Sequence, residues 1–157
     1  MRGIRGATQI EANTVEAMED GVAEMCRTIC EANGIRPEEI VWAIFTVTHD
    51  LDADFPARAA RVRCGWTMVP MICSREIPVP GSLPRTVRVL VHVETGTPRD
   101  VRHVYLRGAR ARRPALAAAA PAAIGPAAAG ASVPPGGAPP APAGPAAPGR
   151  PPGGRDG

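Results

Sequence analysis

Lysine is absent from this 157-residue chain: all 18 of its basic side chains are arginine. With 17 Gly, 19 Pro and a great deal of Ala, that choice reads as a bias of the coding genome rather than a functional signal. Aromatic residues are sparse as well, two Trp, two Phe and a single Tyr, so the core must rest on Val, Ile, Leu, Met and Ala. The net charge of +3 is too small, and too little concentrated, for a nucleic-acid partner, because phosphate recognition calls for a dense basic patch. Arg107, Arg110, Arg112 and Arg113 do cluster, but no aromatic residues are interleaved among them to stack on bases. Long apolar runs are missing too. The first residues lack the hydrophobic stretch of a signal peptide, and nothing approaches the ~18 apolar residues of a membrane span, so no membrane association is expected. Cys26, Cys30, Cys64 and Cys73 form no CxxC pair and have no His at metal-ligand spacing. They are expected to be free thiols in a cytoplasmic protein. There is no Ser-His-Asp order, no Gly-rich phosphate loop and no metal-ligand cluster, and His49, His92 and His103 show no ligand spacing.

What is present divides at Pro114. From residue 115 to 157 the chain is Ala, Pro and Gly with few exceptions. Such a composition cannot bury enough apolar surface to offset the entropy of ordering. A short helical extension at 115–120 and then a disordered, partly polyproline tail are expected, serving as linker or passenger. Residues 1–114 read as one mixed α/β domain. A first strand is expected over 2–10. Asn13 or Thr14 can cap a helix over 14–33 whose apolar face is Val15, Met18, Val22, Met25, Cys26, Ile29 and Cys30, with Asn33-Gly34 ending it. Arg36-Pro37-Glu38-Glu39 starts a short helical turn, and 40–48 is a β-rich apolar run, hence a buried strand. A second helix is expected over 56–64, then strands over 67–73, 85–95 and 101–107. The middle one is clearest, because Val87, Val89, Val91 and Val93 alternate with Arg88, Leu90, His92 and Glu94. The expected fold class is α/β (α+β), a mixed β-sheet with helices on one face.

Three segments carry a resemblance: Arg2-Gly3-Ile4-Arg5-Gly6-Ala7-Thr8; Asp50 to Arg61 with Gly65-Trp66 and Val69 to Glu76; and Arg88 followed by Arg102-His103-Val104-Tyr105-Leu106 and Arg113-Pro114. In this order and spacing they resemble the AroH class of chorismate mutases, over residues 1–114. The resemblance implies a homotrimeric pseudo-barrel with active sites between subunits. It also implies cofactor-free conversion of chorismate to prephenate on the route to phenylalanine and tyrosine. Carried over by position, Arg5, Arg88 and Tyr105 would hold the substrate. Glu76 and Cys73 would meet its ring hydroxyl, Phe55, Ala57, Met71 and Ile72 would line the pocket, and Arg58, Arg61 and Arg113 would sit at its rim. Arg58 stands where the family often has Lys. Met71 and Ile72 replace smaller or more polar residues, the turn before Arg102 is one residue shorter, and the tail is far longer.

That chemistry suits these residues. A unimolecular [3,3] rearrangement moves no proton and needs no covalent intermediate. A protein can help only by holding the flexible dianion in its reactive shape and by stabilising charge that develops as bonds break. Arginine serves both ends, since its planar fork grips a carboxylate through two hydrogen bonds and keeps its proton. Plainer readings exist for each residue. Arg5 could be a solvated charge, Arg88 half of a cross-strand ion pair, Glu76 a surface partner of Arg75, and Cys73 a small buried hydrophobe. Phe55-Pro56 could be a hydrophobic staple, Arg58 and Arg61 the solvated face of a helix, and Cys26 and Cys30 core packing. Two other functions stay open. A Rid-type trimeric imine deaminase also uses Arg, Cys, Glu and Tyr, but with the Arg first, whereas here Cys73 and Glu76 precede Arg88. The other is a non-catalytic trimer that binds a metabolite.

Overall fold

The computed structural model describes residues 1–94 and 100–112. The expected boundary at Pro114, the extension at 115–120, the tail and Arg113 lie outside the described residues. Along the chain run β1 (Arg2–Gln9), α1 (Val15–Asn33), a 3-10 turn (Pro37–Glu39), β2 (Ile40–Val47) and α2 (Pro56–Cys64). They are followed by β3 (Met71–Arg75), β4 (Thr86–Val93), β5 (Val104–Leu106) and α3 (Gly108–Ala111). The strands form one mixed sheet in the order β3-β2-β4-β1-β5. β4 is antiparallel to both β1 and β2, whereas β3 runs parallel to β2 and β5 parallel to β1.

Local chemistry sets the ends of α1. Thr14 is extended and its hydroxyl accepts the Ala17 N–H at 3.2 Å, which satisfies a donor the first turn would leave bare. Gly34 closes the helix at φ 57°, a left-handed conformation that glycine adopts without a Cβ clash. Asn13 takes a different task from capping: its side-chain oxygen accepts the N–H groups of Asp52 and Ala53, tying the loop before α2 to the start of α1. Met18, Val22, Met25, Cys26 and Ile29 bury the expected face of α1, while Val15 in the first turn is exposed. α2 packs beside α1, and Cys26, Cys30 and Cys64 meet along that seam. Burial pushes the Cys30 thiol up to about 11 and the Cys26 thiol well above its ordinary value. These thiols are core packing.

The alternation in β4 is realised as expected: Val87, Val89, Val91 and Val93 are buried, with Ile4 and Phe45, beneath the helices. Arg88, Leu90 and His92 consequently point to the other, open face. Three strand boundaries differ from expectation. β3 starts at Met71 rather than Thr67, because Gly65 (φ 73°) turns the chain and Pro70 has no N–H to give the ladder. β4 is confined to Thr86–Val93, with residues 95–99 outside the described set. β5 is shortened to three residues because side chains replace its first backbone pairs. Asn33 clamps Arg102, accepting its N–H at 2.7 Å and donating to its carbonyl at 3.0 Å. The His103 imidazole accepts the Arg5 N–H. The short α3 was not expected, and its Ala109 packs with Ala7, Tyr105 and Leu83 at the β5 end of the open face.

Candidate active site

Strand register assembles the site. Arg88 stands opposite Thr46 of β2 on one side and Ala7 of β1 on the other, and Ala7 stands opposite Tyr105 of β5. Residues directly opposite share a face of the sheet, so Thr46, Arg88, Ala7 and Tyr105 form a row across the open face. The next row is Ile44, Leu90 and Arg5. With a methyl at Ala7 between two long side chains, space remains above the row. A cleft of about 440 Å³ lies there, lined by both rows and walled by Leu83, Ala109 and Arg112.

The polar groups of the cleft are held from several directions. Arg88 forms an ion pair with Glu76, the residue just past β3. The other oxygen of that carboxylate accepts the Thr46 hydroxyl at 2.6 Å, and the Glu76 N–H donates to the Val47 carbonyl at 2.9 Å. The Tyr105 ring is buried, and its hydroxyl has no hydrogen-bond partner among the described residues. Arg5 projects into the cleft while its backbone N–H donates to His103 Nδ1 at 3.2 Å. Partial burial, and then the Arg5 charge, lower the His103 pKa and favour the neutral ring that can accept this bond. Arg112 reaches the rim and donates to the Gly81 carbonyl at 2.9 Å.

Arg5, Arg88, Tyr105 and Glu76 are therefore brought together, as a cationic cleft with one fixed carboxylate and one unsatisfied hydroxyl. The remaining candidates lie elsewhere in the chain. Cys73 stands opposite Phe45, so its side chain lies on the helix face against the core rather than beside Glu76. Met71 shares that face. Ile72 lies on the open face at the sheet edge and is 62% exposed. With Arg61, Met71, Trp42 and Ile44 it lines a second groove of about 510 Å³. Phe55 is exposed at the start of α2 and Ala57 is buried within it. Arg58 pairs with Glu19 and Asp54 at 2.6 and 2.7 Å. Several residues of the cleft, Ala7, Thr46, Leu83 and Arg112 among them, were not among the site residues expected from the sequence. A signal existed for Thr46, the hydroxyl-bearing member of the alternating Trp42, Ile44, Thr46 set. None marked Arg112 among its neighbouring arginines.

A mixed sheet with α1 and α2 on one face, and on the other an arginine-lined cleft walled by the short α3, defines a small α/β protein whose cleft suits an anionic ligand and holds no nucleophile–base pair among the described residues. Comparison with known proteins narrows this. The family model for chorismate mutase type I matches residues 1–116. The chorismate mutase AroH of Thermus thermophilus is 52% identical over 121 residues, 76% of this chain and 98% of that protein. Its counterpart from Bacillus subtilis (strain 168) is 41% identical over 118 residues, 74% of this chain and 93% of that one. The solved structure of a chorismate mutase from Clostridium thermocellum superposes with a TM-score of 0.67 at 44% identity, covering 71% of this chain and 99% of that one. The chain belongs to the type I chorismate mutase family.

Proposed function

We infer that this chain is an isomerase that converts chorismate to prephenate by a cofactor-free [3,3] rearrangement. The observation that carries the site assignment is the convergence of Arg5, Arg88 and the unpartnered Tyr105 hydroxyl in one cleft, with Glu76 fixed beside Arg88. Arg5 and Tyr105 bind carboxylate and ether functions of the substrate and select its compact conformer. Arg88 faces the ether oxygen, where negative charge accumulates as the C–O bond lengthens, and so binds the transition state more tightly than the ground state. Glu76 accepts a hydrogen bond from the ring hydroxyl and transfers no proton. Arg112, at the rim, adds a cation for the second carboxylate.

We also propose a homotrimer with the site shared between copies. Ile72 on β3 and Tyr105 on β5 are separated by four strand spacings, roughly 19 Å at the usual interval, too far for one small dianion to touch both. A neighbour that brings its own β3 edge, with Cys73, Met71, Ile72, Phe55, Ala57, Arg58 and Arg61 nearby, would complete the cleft. Ile72 and Leu90, exposed on the open face, are surface that such packing would cover. Among the described residues no helix is long and apolar enough to cross a membrane, and we assign the enzyme to the cytoplasm. The decisive experiment incubates the purified chain with chorismate and follows loss of its ultraviolet absorbance. Turnover that depends on Arg88 is expected. Binding of chorismate without turnover would leave a metabolite-binding trimer instead, and hydrolysis of an imine substrate would favour the deaminase reading.

A further inference from the structure

We propose that Thr46 is a positioning residue for Glu76 and, through it, for Arg88; the role rests on the assignments of those two residues above. Thr46 stands at the β2 end of the polar row, beside Arg88. It is paired with Ser74 on β3 and with Arg88 on β4, and Glu76, two residues beyond Ser74 and so on the same face, reaches its hydroxyl. Three separate interactions then fix one short segment. The Glu76 N–H is taken by the Val47 carbonyl at 2.9 Å, one carboxylate oxygen by the Thr46 hydroxyl at 2.6 Å, and the other by Arg88.

The consequence is electrostatic as well as geometric. A carboxylate held by a single guanidinium can swing about its last torsion, which is broad for Glu, and would draw that guanidinium with it. The second grip from Thr46 stops this rotation. It leaves the unused lone pairs of Glu76 at a defined place for the substrate hydroxyl, and keeps the Arg88 fork from closing over its own ion pair. β2 is an interior strand of the sheet, and rigid elements of this kind locate catalytic groups more tightly than loops. Neither Trp42 nor Ile44, the other open-face residues of β2, offers a hydroxyl at this height.

The test is a double-mutant cycle in the full-length chain. Thr46→Val keeps the branched shape and removes the hydroxyl. It should lower kcat/KM by about 10- to 100-fold, the range for losing a hydrogen bond to a charged group, with the thermal midpoint nearly unchanged. Thr46→Ser restores the donor and should recover most of the loss, which a role in packing alone would not predict. In a Glu76→Ala background Thr46→Val should cost nothing further, because the group it positions is gone. An unaltered kcat/KM for Thr46→Val beside a crippled Glu76→Ala enzyme would overturn this inference and leave the site assignment standing. So would an equal loss from Thr46→Val in both backgrounds. A Glu76→Ala enzyme as fast as the parent would overturn the site assignment and this inference with it.

Discussion

Arg88 combines two demands in one side chain: it must be held still, and it must keep donors for the substrate. Its position on an interior strand, between Thr46 and Ala7, meets the first, and the five N–H groups of a guanidinium meet the second. Arg88→Lys retains the charge but not the planar fork, so the loss should fall mainly on kcat. Removing a single donor of this type costs about 10²–10³ in rate. An isosteric neutral replacement by citrulline separates charge from shape, and wild-type turnover by that variant would mean that substrate compression alone carries the catalysis. His103 supports Arg5 in a different currency. Its folded-state pKa lies below the ordinary 6.5, first through burial and then through the Arg5 charge. The unfolded chain therefore takes up a proton before the folded one does. Stability is full above pH 6.5 and declines as pH falls through that value toward the depressed folded pKa. His103→Gln can still accept the Arg5 N–H but does not titrate, so its thermal midpoint should vary less between pH 8 and pH 5 than the parent's, a difference scanning calorimetry can read. Parallel curves would dissociate His103 from the acid limb.

Among the elements, β1 is the most constrained. It pairs with β4 along its whole length and with β5 through Gly6, Ala7 and Thr8, and it carries Arg5 on the open face between Ile4 and Gly6, which both face the helices. Gly6 makes this possible. A Cβ there would stand 2.7 Å from Ile29 Cδ1 and 2.9 Å from Val89 Cγ1, so α1 can lie on the sheet only where that position is bare. Gly6→Ala should destabilise the fold by about 1–3 kcal/mol, as overpacking of a tight core does. Because it shifts the strand beside Arg5, KM should rise as well. A thermal midpoint equal to the parent's would show that α1 can retreat without strain. The asparagine that ends α1 has a comparable reach: by clamping Arg102, Asn33 anchors the entry to β5 and hence the height of Tyr105 above the sheet.

For the whole molecule, the open face is the unresolved demand of a single chain, with a charged cleft, exposed apolar residues and half of the expected pocket on the far edge. The proposed trimer answers all three, and sedimentation equilibrium should return a mass near three chains. A stable monomer with full activity would refute the shared site. The Ala/Pro/Gly segment is proposed to be dispensable. Ending the chain after Ala118 should leave the trimer and its thermal midpoint nearly unchanged and keep turnover, with at most a modest rise in KM. A fall in kcat beyond about tenfold, or about 1.4 kcal/mol of barrier, would place part of the tail in the site.

The sequence by itself determined whatever depends on neighbours along the chain. A cap at Asn13 or Thr14, the Asn33-Gly34 end of α1 and the period-two valines of β4 are all local chemistry, and the family pattern supplied Arg5, Cys73, Glu76, Arg88 and Tyr105 as a set. Only the tertiary structure decided which plain readings held and how the set was divided. Arg88 proved to be half of an ion pair, as a charge on a polar sheet face can be, yet its partner is Glu76 from beyond another strand rather than a residue directly opposite. Glu76 left its neighbour Arg75 for that pair, and Cys73 and Met71 turned toward the helices because parallel pairing with β2 fixed their parity. Pairing register is a relation between segments some thirty residues apart, and a shift of one residue reverses every side chain. No local pattern encodes that relation, which is why the pairing of Thr46 with Arg88 and Glu76 was less legible than the strands that carry it.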